Sequence, residues 1–571
     1  MSVALLEAPV PGPGRADAWV GLAFAVLFAA FVAVSWQKWP LLTADSAREL
    51  YVPFQIRHGA TIYRDFAYLY GPVAPYGQAG LLALFGEHLA VLYVASLAQL
   101  ALVLGLLYTL ARHVLAAPAA AAVLWLFFGG FALGRDIWGY VWPYSFAATH
   151  GVLFGLVVLV ALCRHAASGR RAWLALAGLA VGLSLVTKLE FGLAAAGVAA
   201  VYGGLRALAR PGWRVLALDA LAVAGPACAV AGAIAATVLA SVPAPMVLES
   251  IWPTRLMQLW GSQGTWHGTA QSWGANLKWL ALALATCAVA VDSRRWWPVG
   301  LVLVVGLAGF GHFYVENAAH YWMGPGFLVL FGLLVAVARR LRAGPPSPVL
   351  VAWALVGAYG LLVATRTLML GYNDYTRYQA PVALIAWVAL ASRWLPAWLG
   401  VAPGRPFALA ALALALGGQP AWAEVASYLG PHEAVTGPVG TVLATPTFAR
   451  PFNQALAYVR AHTRPGDAIV AAPMEASFYL FSGLDNVLHE DQLFWGYLTT
   501  HAEQAAALRR MEDRRVRYVL VSSYAMGPHR FGENFMEDLG AWIHTRCALV
   551  GDFSSPGYGV RVYATPFAEG M

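Results

Sequence analysis

The chain has 571 residues, 60% of them hydrophobic and only 11% charged, with a mean hydropathy of +0.63. Those values exclude an ordinary soluble protein and describe a polytopic α-helical membrane protein. A formal charge of +8 would suggest nucleic acid in a soluble domain, but the cations are mostly Arg in short loops between apolar runs. They read as topology signals, and no nucleic-acid partner is expected.

The first apolar run, centred on 18–36, is preceded by Glu7 and several prolines and followed by Trp36-Gln37-Lys38 where a cleavage site would need small residues. It reads as a retained first span. Next comes a first outer loop over 41–88, too polar and too interrupted by Pro and Gly to span. Within it, the stretch from Asp45 to Phe54 reads as an N-capped helix lying on the membrane surface with Asp45 near its cap. A carboxylate just beyond the first span is a default candidate for chemistry or transport. Tyr63-Arg64-Asp65-Phe66 and Tyr68-Leu69-Tyr70-Gly71-Pro72 follow in the same loop.

Hydropathy read with a window of about 19 residues gives about thirteen spans in all. The others centre near 89–111, 116–134, 145–163, 172–187, 191–208, 214–241, 277–292, 297–313, 320–338, 348–368, 379–395 and 406–422. Alternate loops carry Arg112, then Arg164, Arg170 and Arg171, then Arg206, Arg210 and Arg214, then Arg294 and Arg295, then Arg339, Arg340 and Arg342, then Arg393 and Arg405. By the positive-inside rule this face is cytoplasmic, as is the N-terminus. Most carboxylates of the membrane half fall on the opposite face: Asp45, Glu49, Asp65, Glu87, Asp136, Glu190, Glu249, Glu316 and Asp374. Acid chemistry is therefore expected outside. The assignment depends on 172–208 being two spans that meet at Lys188-Leu189-Glu190, because one merged span would invert everything downstream. Trp138, Tyr140, Trp142 and Tyr144 read as an interfacial aromatic belt.

Residues 1–422 thus form the transmembrane domain, and 423–571 read as a separate α/β domain, placed outside by the odd number of spans. Phe452–His462 reads as an amphipathic helix, Ala468–Ala472 as a buried strand, 501–513 as a helix, Tyr518–Val521 as a strand and Val560–Tyr563 as the close of a terminal hairpin. No Gly-rich phosphate loop or nucleophile elbow is present, so this domain is assigned to support or acceptor docking. Cys163, Cys228, Cys287 and Cys547 lack metal-ligand spacing and imply neither a disulfide framework nor zinc.

The order of a first span, an Asp just beyond it, a surface helix, a Tyr-Arg-Asp-Phe element and a Tyr-Gly-Pro turn resembles the GT-C superfamily of membrane glycosyltransferases. The branch it is most similar to contains the protein mannosyltransferases, lipid A aminoarabinose transferases and lipopolysaccharide core sugar transferases. Thr187-Lys188-Leu189-Glu190, His462-Thr463-Arg464-Pro465-Gly466-Asp467 and Arg517-Tyr518-Val519-Leu520 extend the resemblance to nearly the whole chain. It implies transfer of a sugar from a polyprenyl phosphate donor to an envelope acceptor (lipid, glycan or protein) at the extracytoplasmic face of the inner membrane. Asp45 matches the family's acidic residue and is assigned as general base. Several relatives carry a second acid beside the first, whereas Ser46 stands here, leaving Asp65 or Glu49 as its partner.

Departing phosphate needs cations facing the same chamber. Lys188 is one of only three lysines in the chain and lies two residues from Glu190, so it suits either phosphate or a neutralised pair. Arg377 sits in an outer loop and its planar fork suits phosphate, as a local pair with Asp374 would also use it. His320 and Arg255 are assigned the same role, and Glu49, Arg64, Tyr70 and Glu190 are placed against substrate. His312, Glu316 and His320 recur at four-residue spacing and would suit a divalent metal if the helix continued through. Asn317-Ala318-Ala319 reads instead as a turn, so no cofactor is assigned and a divalent metal stays an open alternative. The competing function is a transporter or flippase of lipid-linked glycans, which would also need many spans and outer carboxylates, but no internal repeat is visible.

Overall fold

The computed structural model describes residues 10–252, 328–370, 377–394, 406–524 and 529–568, together with 6, 7, 326 and 397. In chain order the elements of the first half are α1 (Arg15–Ser35), α2 (Ala44–Arg57), α3 (Val73–Phe85), α4 (Leu89–Arg112), α5 (Ala117–Phe127), α6 (Phe146–Ser168), α7 (Ala172–Leu185), α8 (Leu189–Leu208), α9 (Trp213–Leu239) and α10 (Ala244–Ile251). Then follow α11 (Pro348–Leu370), α12 (Pro381–Ala389) and α13 (Pro406–Leu429). Among the described residues six helices are long and apolar enough to cross a membrane: α1, α4, α6, α8, α9 and α11 over Pro348–Thr365. Shorter apolar helices lie at three further expected spans, over Ala117–Ala132, Ala172–Leu185 and Pro381–Trp394. The expected spans at 277–292 and 297–313 lie outside the described residues.

The junction at Lys188 separates two helices. Phe191 packs on Gly151 near the starts of α8 and α6, and Tyr202 bonds His165 near their ends, so these two helices run parallel. The intervening α7 must run the opposite way, which keeps 172–208 as two segments. The Arg-rich loops then gather at one end, where they pair with carboxylates. Arg112 lies 2.6 Å from Asp17, Asp219 accepts from Arg171 at 3.0 Å and Arg206 at 3.1 Å, and Arg340 lies 2.7 Å from Glu7. Lys188 lies at the opposite end of α8 from Arg206, and Asp45 follows the opposite end of α1 from Asp17.

One helix of the first outer loop was not expected. α3 starts after Pro72 and contains Pro75. Proline is tolerated in a first turn, where its missing N–H has no intrahelical partner to lose.

Beyond α13, which runs through residue 422, a two-stranded ribbon of β1 (Glu433–Gly437) and β2 (Gly440–Ala444) leads into α14 (Pro446–His462). The remaining elements are β3 (Ala468–Ala472), α15 (Ser477–Ser482), β4 (Asp485–Asn486), α16 (His501–Asp513), β5 (Tyr518–Ser522), α17 (Glu537–Arg546), β6 (Ala548–Ser555) and β7 (Tyr558–Ala564). The sheet order is β4-β3-β5-β7-β6, with β3 parallel to β4 and β5, and β7 antiparallel to β5 and β6. Alternation along β3 sorts its side chains to two cores. Ile469 and Ala471 join the core shared with the membrane helices, while Ala468, Val470 and Ala472 join a second core with Met511 and Ile543. The tail is therefore packed onto the membrane half through a continuous apolar core that includes Leu50, Phe54, Phe478 and Tyr479.

Candidate active site

The site is built around the N-terminus of α2. Thr43 is its extended N-cap, and Ala44 adopts a left-handed φ of 56° with its N–H donating to the Met474 carbonyl at 2.9 Å. That conformation is costly for a residue with a Cβ and persists where surrounding contacts impose it. It turns the chain so that Asp45 and Arg48, three residues apart on the helix, face each other: Arg48 Nη1 lies 3.3 Å from Asp45 Oδ1. Ser46, the residue after Asp45, accepts the Leu41 N–H at 2.9 Å.

Arg48 is buried, and four groups hold it. Besides Asp45, it reaches Glu49 Oε1 at 3.4 Å, Gln492 Oε1 at 3.1 Å and the Tyr144 carbonyl at 3.2 Å. Glu49 is also buried, and its Oε2 accepts the Phe146 N–H at 3.0 Å while Tyr68 donates to Oε1 at 3.3 Å. Burial raises its carboxyl above the ordinary value, opposed by the Arg48 charge and the Phe146 N–H. The helix expected to lie on the membrane surface is thus covered on both sides, because its polar face carries an ion-pair cluster rather than a solvated stripe.

Tyr70 connects this cluster to Lys188. The Arg48 guanidinium carbon lies 5.4 Å from the Tyr70 ring centre and the Lys188 ammonium 3.7 Å from it, both within cation–π range. Lys188 is the N-cap residue of α8, 5% exposed, and pairs with Glu190 at 3.4 Å. The Tyr-Gly-Pro turn makes this approach possible. Gly71 N–H donates to the Thr187 carbonyl at 2.9 Å, and a Cβ at Gly71 would run into the Val186 carbonyl. Only glycine lets the two backbones touch here.

Tyr144 continues the wall, 6.2 Å from Tyr70 and 5.2 Å from Tyr378, centre to centre. Arg377 precedes Tyr378, is buried, and donates from Nη1 to the Trp138 carbonyl at 2.6 Å. Tyr140, Trp142 and Tyr144 are all buried; Tyr140 donates to the Arg377 carbonyl and Trp142 to the Ser46 carbonyl. Three of the four residues expected as an aromatic belt are therefore an internal wall, with the polar tips of Tyr140 and Trp142 bonded to backbone carbonyls, while Trp138 is half-buried.

The roof comes from the tail, which sequence reasoning had kept apart from the chemistry. Glu475 is buried and accepts from Thr43 at 2.9 Å, from the Met474 N–H at 2.7 Å and from Ser522. Asp491 accepts from Gln55 of α2 and from Asn486, each at 3.0 Å, and the Ala67 N–H donates to the His489 carbonyl at 2.7 Å. Burial pushes both carboxyls up to about 7, against the hydrogen bonds they accept. The signal available in sequence was small: Glu475 stands three residues after a buried strand, and Asp491 lies in the polar run His489-Glu490-Asp491-Gln492.

The structure therefore brings together Asp45, Glu49, Tyr70, Lys188, Glu190 and, through Tyr144 and Tyr378, Arg377. Asp65 stands in a different set: it accepts from Arg64 at 2.8 and 2.9 Å and from the Thr61 N–H at 2.7 Å, with both side chains more than a third exposed. The Arg64 hydrogen bond holds the Asp65 carboxyl below its ordinary value. His320, Arg255, His312 and Glu316 lie outside the described residues. Among the described residues no group of three His, Cys, Asp or Glu side chains could hold a metal ion.

No family model and no curated protein matches the sequence. Among solved structures the chain is similar to ArnT from Cupriavidus metallidurans bound to undecaprenyl phosphate, with a TM-score of 0.56 and 13% identity over 98% of this chain and 100% of that one. It also matches the archaeal oligosaccharyltransferase AglB from Archaeoglobus fulgidus, in complex with an inhibitory peptide and dolichol phosphate. That match has a TM-score of 0.46 and 14% identity, over 88% of this chain and 69% of that one. The likeness to ArnT is one of fold.

Proposed function

We propose that this chain is an integral-membrane glycosyltransferase that moves a sugar from a polyprenyl phosphate to an envelope acceptor at the face opposite the Arg-rich loops. That face is extracytoplasmic if the Arg-rich loops mark the cytoplasm. The observation that carries the reading is the placement of a buried ammonium, Lys188, and a carboxylate, Asp45, on either side of the Arg48–Tyr70 contact. The ArnT fold supports it, since that protein is bound to undecaprenyl phosphate.

In the proposed step an acceptor hydroxyl attacks the anomeric carbon while Asp45 takes its proton. The bond from that carbon to the phosphate oxygen breaks, and the polyprenyl phosphate leaves with both electrons. Lys188 and Arg377, both buried, hold the departing charge away from water, where such contacts count for more than in solution. Arg48 orients Asp45, and Glu49 and Gln492 orient Arg48. We assign Glu49 rather than Asp65 as the second acid of the site, acting through Arg48. His320 and Arg255 stay as further phosphate contacts in this proposal.

The test is sugar release from a panel of radiolabelled polyprenyl phosphate sugars by purified protein in vesicles, with acceptor lipids supplied, comparing wild type and Asp45→Asn. Removal of a general base lowers turnover by roughly 10²–10⁴-fold. Turnover of a donor that survives unchanged in a folded Asp45→Asn variant would sink the assignment of the base. A wild type inert to every donor would sink the transferase reading and favour a flipping assay.

A further inference from the structure

A recess lies in the tail, separate from the Asp45 cluster but linked to it through Ser522 and Glu475. It encloses about 340 Å³ at the end of β5, and its lining includes Ser523, Tyr524, Arg530, Glu533, His544 and Arg561. That volume is in the range of small-molecule sites, roughly 300–1,000 Å³. The position follows from the sheet. β5 is parallel to β3 on one side and antiparallel to β7 on the other, so the recess lies beyond the carboxyl end of β5 and beside the start of β7; carboxyl ends of parallel strands are where open α/β sheets hold ligands.

Two stretches of the wall are held by close backbone contacts, while the charged side chains Arg530, Glu533, His544 and Arg561 are exposed. Gly532, at a left-handed φ of +77°, crosses Gly540 so tightly that a Cβ on either would meet the other's backbone. Gly559 N–H donates to Ser523 Oγ at 2.9 Å, and the Ser523 N–H donates to the Gly559 carbonyl at 2.8 Å, fixing the opposite rim.

The lining chemistry is mixed in a way that selects a ligand class. Arg530, Arg561 and His544 offer donors from three different elements, and the Arg forks suit carboxylate or phosphate. Glu533 lines the same recess, and Asp552 lies 3.4 Å from Arg561, so the charge is partly balanced and acceptors are available for hydroxyl groups. Tyr524, Phe531 and Tyr563 add aromatic surface. Cations, hydroxyl acceptors and aromatic faces together describe an anionic sugar better than an inorganic ion or an apolar chain.

The recess also adjoins the catalytic helix. Ser522, on its wall, donates to Glu475, and Glu475 accepts from Thr43, two residues before Asp45. Tyr524 belongs to both places: its phenol is pushed up to about 12, mainly by burial and further by the charges of Asp45 and Glu475.

We propose that this recess binds an anionic saccharide, phosphorylated or carboxylated, as the recognition element of the acceptor whose hydroxyl is presented to Asp45. The acceptor half of this inference rests on the transferase reading above; the binding half does not.

The experiment uses the full chain in lipid nanodiscs and ligand-observed NMR with glucose 6-phosphate, glucuronate and glucose. One or both anionic sugars bind saturably, which tells phosphate from carboxylate. Glucose binds roughly tenfold more weakly, the expected loss of charge-assisted hydrogen bonds. The R530A/R561A double variant, with the wild-type melting temperature, reduces the anionic sugars to the glucose level; R530K/R561K retains part of the difference. If the double variant does not fold, R530A and R561A singly give the same reading. Equal binding of glucose, or anionic binding unchanged in folded alanine variants, overturns the site. Binding without any donor turnover overturns the transferase reading alone, whereas turnover with an acceptor KM unchanged in R530A/R561A overturns the acceptor assignment alone.

Discussion

The Lys188 ammonium sits 3.7 Å above the centre of the Tyr70 ring, although five helices of the chain, α3 to α7, separate the two residues. The contact holds a lysine at the meeting of two helices beside the Arg48–Asp45 pair. Lys188→Met preserves the length of the side chain and removes its charge. If Lys188 holds donor phosphate, KM for the donor rises by roughly 10–100-fold, the worth of one charged hydrogen bond, while Lys188→Arg retains part of the affinity. An unchanged donor KM in Lys188→Met would return this residue to a neutralised pair with Glu190.

Gly71→Ala tests how the turn is held. The added methyl runs into the Val186 carbonyl, a backbone atom that cannot rotate away. We expect a loss of roughly 1–3 kcal/mol and reduced turnover, because Lys188 is carried by the displaced segment. Thermal unfolding in detergent, alongside donor turnover, measures both. Gly77→Ala, with nothing within 4 Å of the added carbon, is the control.

Gln492 holds Arg48 from the tail at 3.1 Å. Gln492→Leu removes that acceptor without touching Asp45 or Lys188. The expected result is a fall in kcat with little change in donor KM, since Arg48 orients the base and does not reach the phosphate in the proposed step. Equal changes in both constants would make Gln492 a packing residue only.

Stability should depend on pH through the roof. The folded chain raises Glu475 and Asp491 from ordinary values of 4.5 and 3.8 to about 7, so it binds these two protons more tightly than the unfolded chain. Their contribution is complete below the unfolded values and is lost as pH rises through about 7. The melting temperature therefore falls between about pH 4 and 7, and the slope flattens in Glu475→Gln and Asp491→Asn. A slope identical in wild type and both variants would remove these carboxyls from the interface energetics.

Asp65→Asn is expected to do little. Its partner is Arg64 on an exposed turn, and exposed pairs contribute roughly 0–1 kcal/mol. Turnover within about twofold of wild type is the expected outcome; a large loss would reinstate Asp65 as a second catalytic acid.

Much of this arrangement was legible in the residues. Leu89–Arg112, His501–Asp513 and Ala468–Ala472 follow from apolar run length, a capping box at Thr500 and Glu503, and a short buried run. Asp45 could be singled out because a carboxylate beside a span has few bland reasons to be there. Arg48 was visible only as a surface cation, since nothing local announces that Gln492 and Tyr144 will cover it. Tyr140, Trp142 and Tyr144 alternate like headgroup anchors, and only tertiary contacts distinguish that pattern from an internal wall. The α3 helix was hidden by Pro72 and Pro75, which look like breakers until their place in a first turn is known.

The bond from Thr43 to Glu475 spans 432 positions. Synthesis proceeds from the N-terminus, so α2 is made long before the segment that covers it. Until residues 474–492 arrive, Arg48 and Glu49 lack their lid and Ala44 lacks the carbonyl that holds its left-handed turn. The active geometry is thus one of the last things the nascent chain acquires, and an incomplete polypeptide ending within the membrane half carries the acidic residue without the constraint that aims it.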